Sequence, residues 1–184
     1  MNRNRPLPAA ARRLLACACL ALPLCGAARA DPGEARRAAE VAQVVLGISS
    51  YVRWPAPHAE ILICLVGATR YADALQDGLP AGGGLRLRAL RLNAPNAAAL
   101  ADCQALYIGA LADAERDRLY ALIIGQPILA ISEPIVPCSV ANMFCLKFRD
   151  AQVSFDVNLD AIARSGLRVH PNALRIARRN GAQP

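Results

Sequence analysis

Residues 61–66 read Ile-Leu-Ile-Cys-Leu-Val and run into Gly67. A continuous apolar run of this length, closed by glycine, marks a strand buried on both faces, as parallel sheets require. Working outward, Arg70 to Leu79 reads as a short helix. Leu85 to Leu92 alternates apolar residues with Arg86, Arg88 and Arg91, predicting an edge strand whose arginines face solvent or an anionic partner. Asn93 to Ala101 reads as a turn with a short helix, and Ala105 to Gly109 as a third strand. Ala112 to Ile124 reads as an amphipathic helix with Asp113 as N-cap and Gly125 as stop, and Pro127 to Ser132 as a fourth strand. Such alternation predicts an α/β fold, a single-domain layered sandwich whose mostly parallel central sheet is flanked by helices with right-handed crossovers.

Upstream, Val41, Val44, Val45, Ile48 and Val52 recur at helical spacing, predicting a helix from Glu34 to Trp54 that Pro55 ends. Trp54 reads as a core anchor at the helix end, and Arg53, at the junction of helix and proline turn, as a charge facing a pocket. Downstream of the fourth strand the regime changes. Met143 to Phe148 and Gln152 to Val157 read as a C-terminal antiparallel hairpin around Arg149-Asp150-Ala151. Leu159 to Ser165 reads as a helix stopped by Gly166, and a last helix opens at Pro171, a residue suited to the first helical position.

The first 30 residues carry Arg3, Arg5, Arg12 and Arg13, then the apolar LLACACLALPLCGAA, then Ala28-Arg29-Ala30. This is the pattern of a cleaved signal peptide, which makes the protein exported and the domain residues 31–184. The apolar run is shorter than the roughly 20 residues that span a bilayer. The leader holds five arginines and no acid, so the formal charge falls from +7 to 16 minus 14, or +2. That balance argues against a nucleic-acid partner, which needs a basic stripe on the folded domain. Four cysteines remain beyond the leader: Cys64, Cys103, Cys138 and Cys145. An even count in an exported chain favours disulfides. Three pairings are open; the short Pro-flanked interval makes Cys138 with Cys145 the natural first choice, leaving Cys64 with Cys103.

Enzyme templates fit poorly: G-x-S-x-G, phosphate-loop and G-x-G-x-x-G patterns are absent, and Ala81-Gly82-Gly83-Gly84 reads as a flexible turn. The cysteine spacing suits neither a zinc site nor a C-x-x-C oxidoreductase. The reading is therefore no catalytic residue, no metal and no cofactor. What remains is a polar cluster near the end of the chain. Asp156 and Asn158 leave the hairpin, Ile162 follows on the next helix, and Arg168 and His170 lead into the Pro171 helix, whose free N–H groups favour an anion. With Arg53 they are expected to line a groove for a small-molecule ligand or a partner segment. The plainer reading is that Asp156 or Asn158 caps a helix and Arg168 pairs with an acid.

Val44 to Tyr51 with Arg53-Trp54-Pro55, Cys138-Ser139-Val140 with Met143-Phe144-Cys145-Leu146, Asn158-Leu159-Asp160 with Ala163-Arg164-Ser165-Gly166, and Arg168-Val169-His170-Pro171 resemble the YfiR family of periplasmic regulators. The resemblance covers nearly the whole chain after the leader. It implies a non-enzymatic, generally dimeric repressor that binds the periplasmic part of an inner-membrane diguanylate cyclase of the YfiN type. An outer-membrane lipoprotein of the YfiB type would sequester it, raising cyclic di-GMP and favouring biofilm growth. It also implies the pairs Cys64–Cys103 and Cys138–Cys145, with redox sensitivity. The competing expectation is a periplasmic small-molecule-binding module with no cyclase partner.

Overall fold

The helix that opens the domain, α1 (Pro32–Ser50), is started by Asp31, whose carboxylate accepts from the Gly33 amide at 3.0 Å. In this computed structural model residues 31–76, 79–80, 86–149 and 152–179 are described; the leader, the glycine turn at 81–84 and the hairpin tip at 150–151 lie outside them. The valine and isoleucine stripe buries Val41, Val45 and Ile48 completely. The helix ends at Ser50, four residues short of the sequence expectation. Tyr51 donates back to the Ile48 carbonyl at 3.0 Å, and the Arg53 guanidinium donates to the Ser50 carbonyl at 3.1 Å. A cation at a helix C-terminus meets both the free carbonyl and the dipole. Val52 is buried as its helical spacing requires, but from the strand β1 (Val52–Arg53), whose backbone pairs with β9 (Arg168–Val169).

The apolar run becomes β2 (Glu60–Val66), an interior strand of the main sheet. Parallel to it lie β4 (Arg86–Leu92), β5 (Ala105–Ile108), β6 (Leu129–Ser132) and β7 (Phe144–Arg149). Short β3 (Leu79–Pro80) and β8 (Gln152–Val157) pair antiparallel at the two edges, in the order β3-β4-β2-β5-β6-β7-β8. The hairpin therefore extends the main sheet. Because β2 is covered on both faces, its odd residues Ile61, Ile63 and Leu65 join one core with α1 and α2 (Asp73–Gln76), which is one turn rather than the ten residues expected. Leu62, Cys64 and Val66 join a second core under α3 (Ala97–Leu100) and α4 (Asp113–Ile123).

Four further local expectations are corrected. Strand β4 is next to the edge, because Leu79 and Pro80 pair with Leu87 and Arg86. Its arginines do not form one row: Leu90 interrupts the alternation, so the period of two puts Arg86 and Arg88 on one face and Arg91 on the other. The residue at the N-cap of α4 is Ala112, with Asp113 the first helical residue. Finally α6 (Ala173–Arg179) starts two residues after Pro171. The disulfides are Cys64–Cys103 and Cys138–Cys145, with Cα separations of 5.8 and 5.6 Å.

At the carboxyl end of β6 sits Glu133, only 1% exposed. Its carboxylate accepts from the Arg70 amide at 2.8 and 3.0 Å, from the Tyr71 amide at 2.9 Å and from the Tyr107 hydroxyl at 3.0 Å. The loop after β2 is thereby fastened to β5 and β6. The Arg70 side chain turns outward to pair with Glu34 on α1.

Candidate functional site

Antiparallel pairing of β1 with β9 sets Arg53 directly opposite Arg168, both exposed. Directly opposed like charges destabilise a strand pair, so the arrangement favours an anionic group brought from outside. Arg53 relieves part of the repulsion by donating to the Ser50 and Val52 carbonyls at 3.1 and 3.0 Å. Neither guanidinium makes an ion pair among the described residues.

His170 continues the ribbon. Its amide donates to the Tyr51 carbonyl at 2.9 Å, and its ring stacks on Tyr51 with centroids 6.0 Å apart. The Asn172 amide donates to His170 Nδ1 at 3.2 Å, so the neutral ring carries its proton on Nε2. A cavity of about 110 Å³ beside it is lined by Tyr51, Asn172, Arg175 and Ile176. The expected anion site at the start of the last helix has no basis in the geometry. Ala173 and Leu174 already donate to the His170 and Pro171 carbonyls at 2.9 and 3.1 Å, Asn172 serves His170, and the helix is only 7 residues long.

Asp156 and Asn158 lie at the other end of α5 (Leu159–Ser165), the helix that leads from β8 to β9. Asp156 is exposed, opposite Cys145 in the β7–β8 register, and pairs with Lys147. Asn158 caps α5 by accepting from the Ala161 amide at 3.0 Å, while its Nδ2 donates to the Ser139 carbonyl in the disulfide loop at 3.1 Å. Ile162 is half-buried against the first core. The six residues thus divide into a ribbon of the cations Arg53 and Arg168 with His170 beside them and a loop-and-cap patch of Asp156 and Asn158, with α5, which carries Ile162, between them. Beside that patch Val140 and Leu159 are 61% and 68% exposed.

The sequence model of the YfiR/HmsC-like family matches residues 38–178, which include all four domain cysteines and every residue of both patches. The chain belongs to the YfiR/HmsC-like family. That family is regulatory and periplasmic. In this YfiR-like chain no helix among the described residues is long and apolar enough to cross a membrane. Also among the described residues, no three of His, Cys, Asp and Glu gather as metal ligands. Sequence reasoning missed Tyr51, Asn172 and Arg175 beside His170. Their signal was weak, because only the return of β9 onto β1 brings residues 51 and 172 together.

Proposed function

We propose that the chain is a periplasmic repressor, exported by a cleaved leader, that binds the periplasmic part of an inner-membrane diguanylate cyclase of the YfiN type and lowers cyclic di-GMP synthesis. The family match over residues 38–178 carries this reading. An outer-membrane lipoprotein of the YfiB type competes for the repressor, and the repressor acts as a homodimer. Repression is a linkage effect: binding the inactive cyclase about 10⁴-fold more tightly, about 5.5 kcal/mol, converts an almost fully active enzyme into an almost fully inactive one. The paired Arg53 and Arg168 and the exposed apolar residues Val140 and Leu159 supply the two chemistries an interface uses, a charged rim and an apolar centre.

The test is to titrate the oxidised domain against membranes containing the cyclase and to measure cyclic di-GMP production. Wild type lowers it saturably, while Arg168→Ala and His170→Ala shift the titration to higher concentration. Normal affinity of both variants for cyclase and lipoprotein would remove the ribbon from the interface. The opposed guanidinium groups of Arg53 and Arg168, which suit an anion, support a second reading, a small-molecule-binding module without a cyclase partner. It requires a ligand-dependent rise in melting temperature and no effect on any cyclase.

A further inference from the structure

A different region, at the carboxyl ends of β2, β4 and β5, has the geometry of a ligand site. The chain passes from β2 to β4 by way of α2, on the first core, and from β4 back across β2 to β5 by way of α3, on the second. The loop leaving β5 leads to α4, also on the second core, so the loops leaving β2 and β5 diverge to opposite faces, and open α/β sheets take their ligands at such a reversal. A cavity of about 560 Å³ opens there. That lies within the usual small-molecule range of about 300–1,000 Å³.

The cleft has a rigid floor. Ala68 and Ala110 exchange backbone hydrogen bonds at 2.8 and 2.9 Å, tying the two loops together. The approach depends on glycine: a Cβ on Gly109 would lie 2.3 Å from the Ala68 carbonyl oxygen, and one on Gly67 2.5 Å from that of Ala110. Two cations face the opening. Arg91 donates to the Gly67 carbonyl at 3.0 Å and to the Thr69 hydroxyl, which fix its plane. Arg118 donates through Nε to the Ala114 carbonyl at 3.0 Å, leaving both Nη groups without an acceptor among the described residues. Glu115 shares the cleft, its carboxylate 3.4 Å from the Ala112 amide, and Leu92, Leu111 and Pro95 supply apolar wall.

We propose that this cleft binds a small organic anion carrying a carboxylate or phosphate beside a hydroxyl or amine. The anionic group lies on Arg91 and Arg118, and the hydroxyl or amine donates to Glu115. The site is separate from the cationic ribbon and stands whether or not the chain represses a cyclase.

The experiment is isothermal titration and thermal melting of the oxidised domain with citrate, L-glutamate, glycerol 3-phosphate and succinate as probes. Saturable binding of one of the first three, with a rise in melting temperature, is expected, and which one binds separates a carboxylate from a phosphate ligand. Arg118→Gln removes charge-assisted hydrogen bonds and is expected to weaken that binding by about tenfold or more. Ala94→Phe, a change at an exposed position on the cleft wall, is expected to block it, and Arg168→Ala to leave it unchanged. No probe binding more tightly than about 1 mM, or binding that survives both cleft variants, overturns the proposal. Succinate, which lacks a donor, is expected to bind worst; equal binding overturns the role given to Glu115.

Discussion

Glu133 is a buried carboxylate whose loss is expected to be costly, because it accepts from the buried Tyr107 hydroxyl and from the Tyr71 and Arg70 amides. Glu133→Ala leaves the Tyr107 hydroxyl and the Arg70 and Tyr71 amides unpaired, and is expected to cost about 3–5 kcal/mol, read from urea unfolding of the oxidised domain. Tyr107→Phe removes one donor and is expected to cost about 1–2 kcal/mol. Burial first, and then the nearby charge of Glu133, hold the Tyr107 hydroxyl well above the ordinary tyrosine pKa of about 10. The unfolded chain loses this proton first, so the contribution is complete below about pH 10 and is lost progressively as pH rises above it. Stability measured across that range is expected to fall less steeply in Tyr107→Phe than in wild type. Equal slopes would mean that Tyr107 ionises as readily in the fold as outside it.

At the scale of elements, α5 carries the connection between disulfide loop and ribbon, and Asn158 holds it from both sides. Asn158→Ala removes the cap and the tie to Ser139 together, at about 2 kcal/mol, whereas Asn158→Asp keeps the cap acceptor and loses only the donor, at about 1 kcal/mol. Equal melting temperatures for the two variants would show that the cap contributes nothing. This helix was also legible from sequence at both ends, since Asn158 and Gly166, the latter at φ +75°, are chemical signals local to the chain. Elements defined by period and punctuation, such as β2 and the hairpin, were legible for the same reason. The two-residue strands were not: Val52 fits the helical stripe as well as it fits β1, and only Val169, more than a hundred positions later, decides between them. The candidate site suffered similarly. Arg53, Arg168 and His170 meet because of one non-local strand pair, while Arg118, on an exposed helix face, looks from sequence like any solvated charge.

Across the whole molecule the two disulfides lie on the second-core side of the sheet, and the ribbon with α1 and α6 lies toward the first. Cys64 sits in an interior strand of the sheet, and its bridge closes the longer interval, 39 residues against 7. Chain-entropy reasoning assigns about 4 kcal/mol to it and about 2.5 kcal/mol to the shorter bridge. Replacing Cys64 and Cys103 together by alanine is therefore expected to lower the urea midpoint more than replacing Cys138 and Cys145. An unchanged midpoint in the first variant would remove that bridge from the account of stability. The packing of α1 against β8 and α6 also has a consequence in time. The place where a Cβ on Gly47 would stand is 3.0 Å from Ile176, so the first helix of the domain is finished by its last. A chain delivered from its amino end covers part of the α1 stripe early, with β2 and α2, and leaves the side that meets β8 and α6 open until almost all of it has arrived. Its first core is therefore completed only late, and the segment made first is among the last to be fully covered.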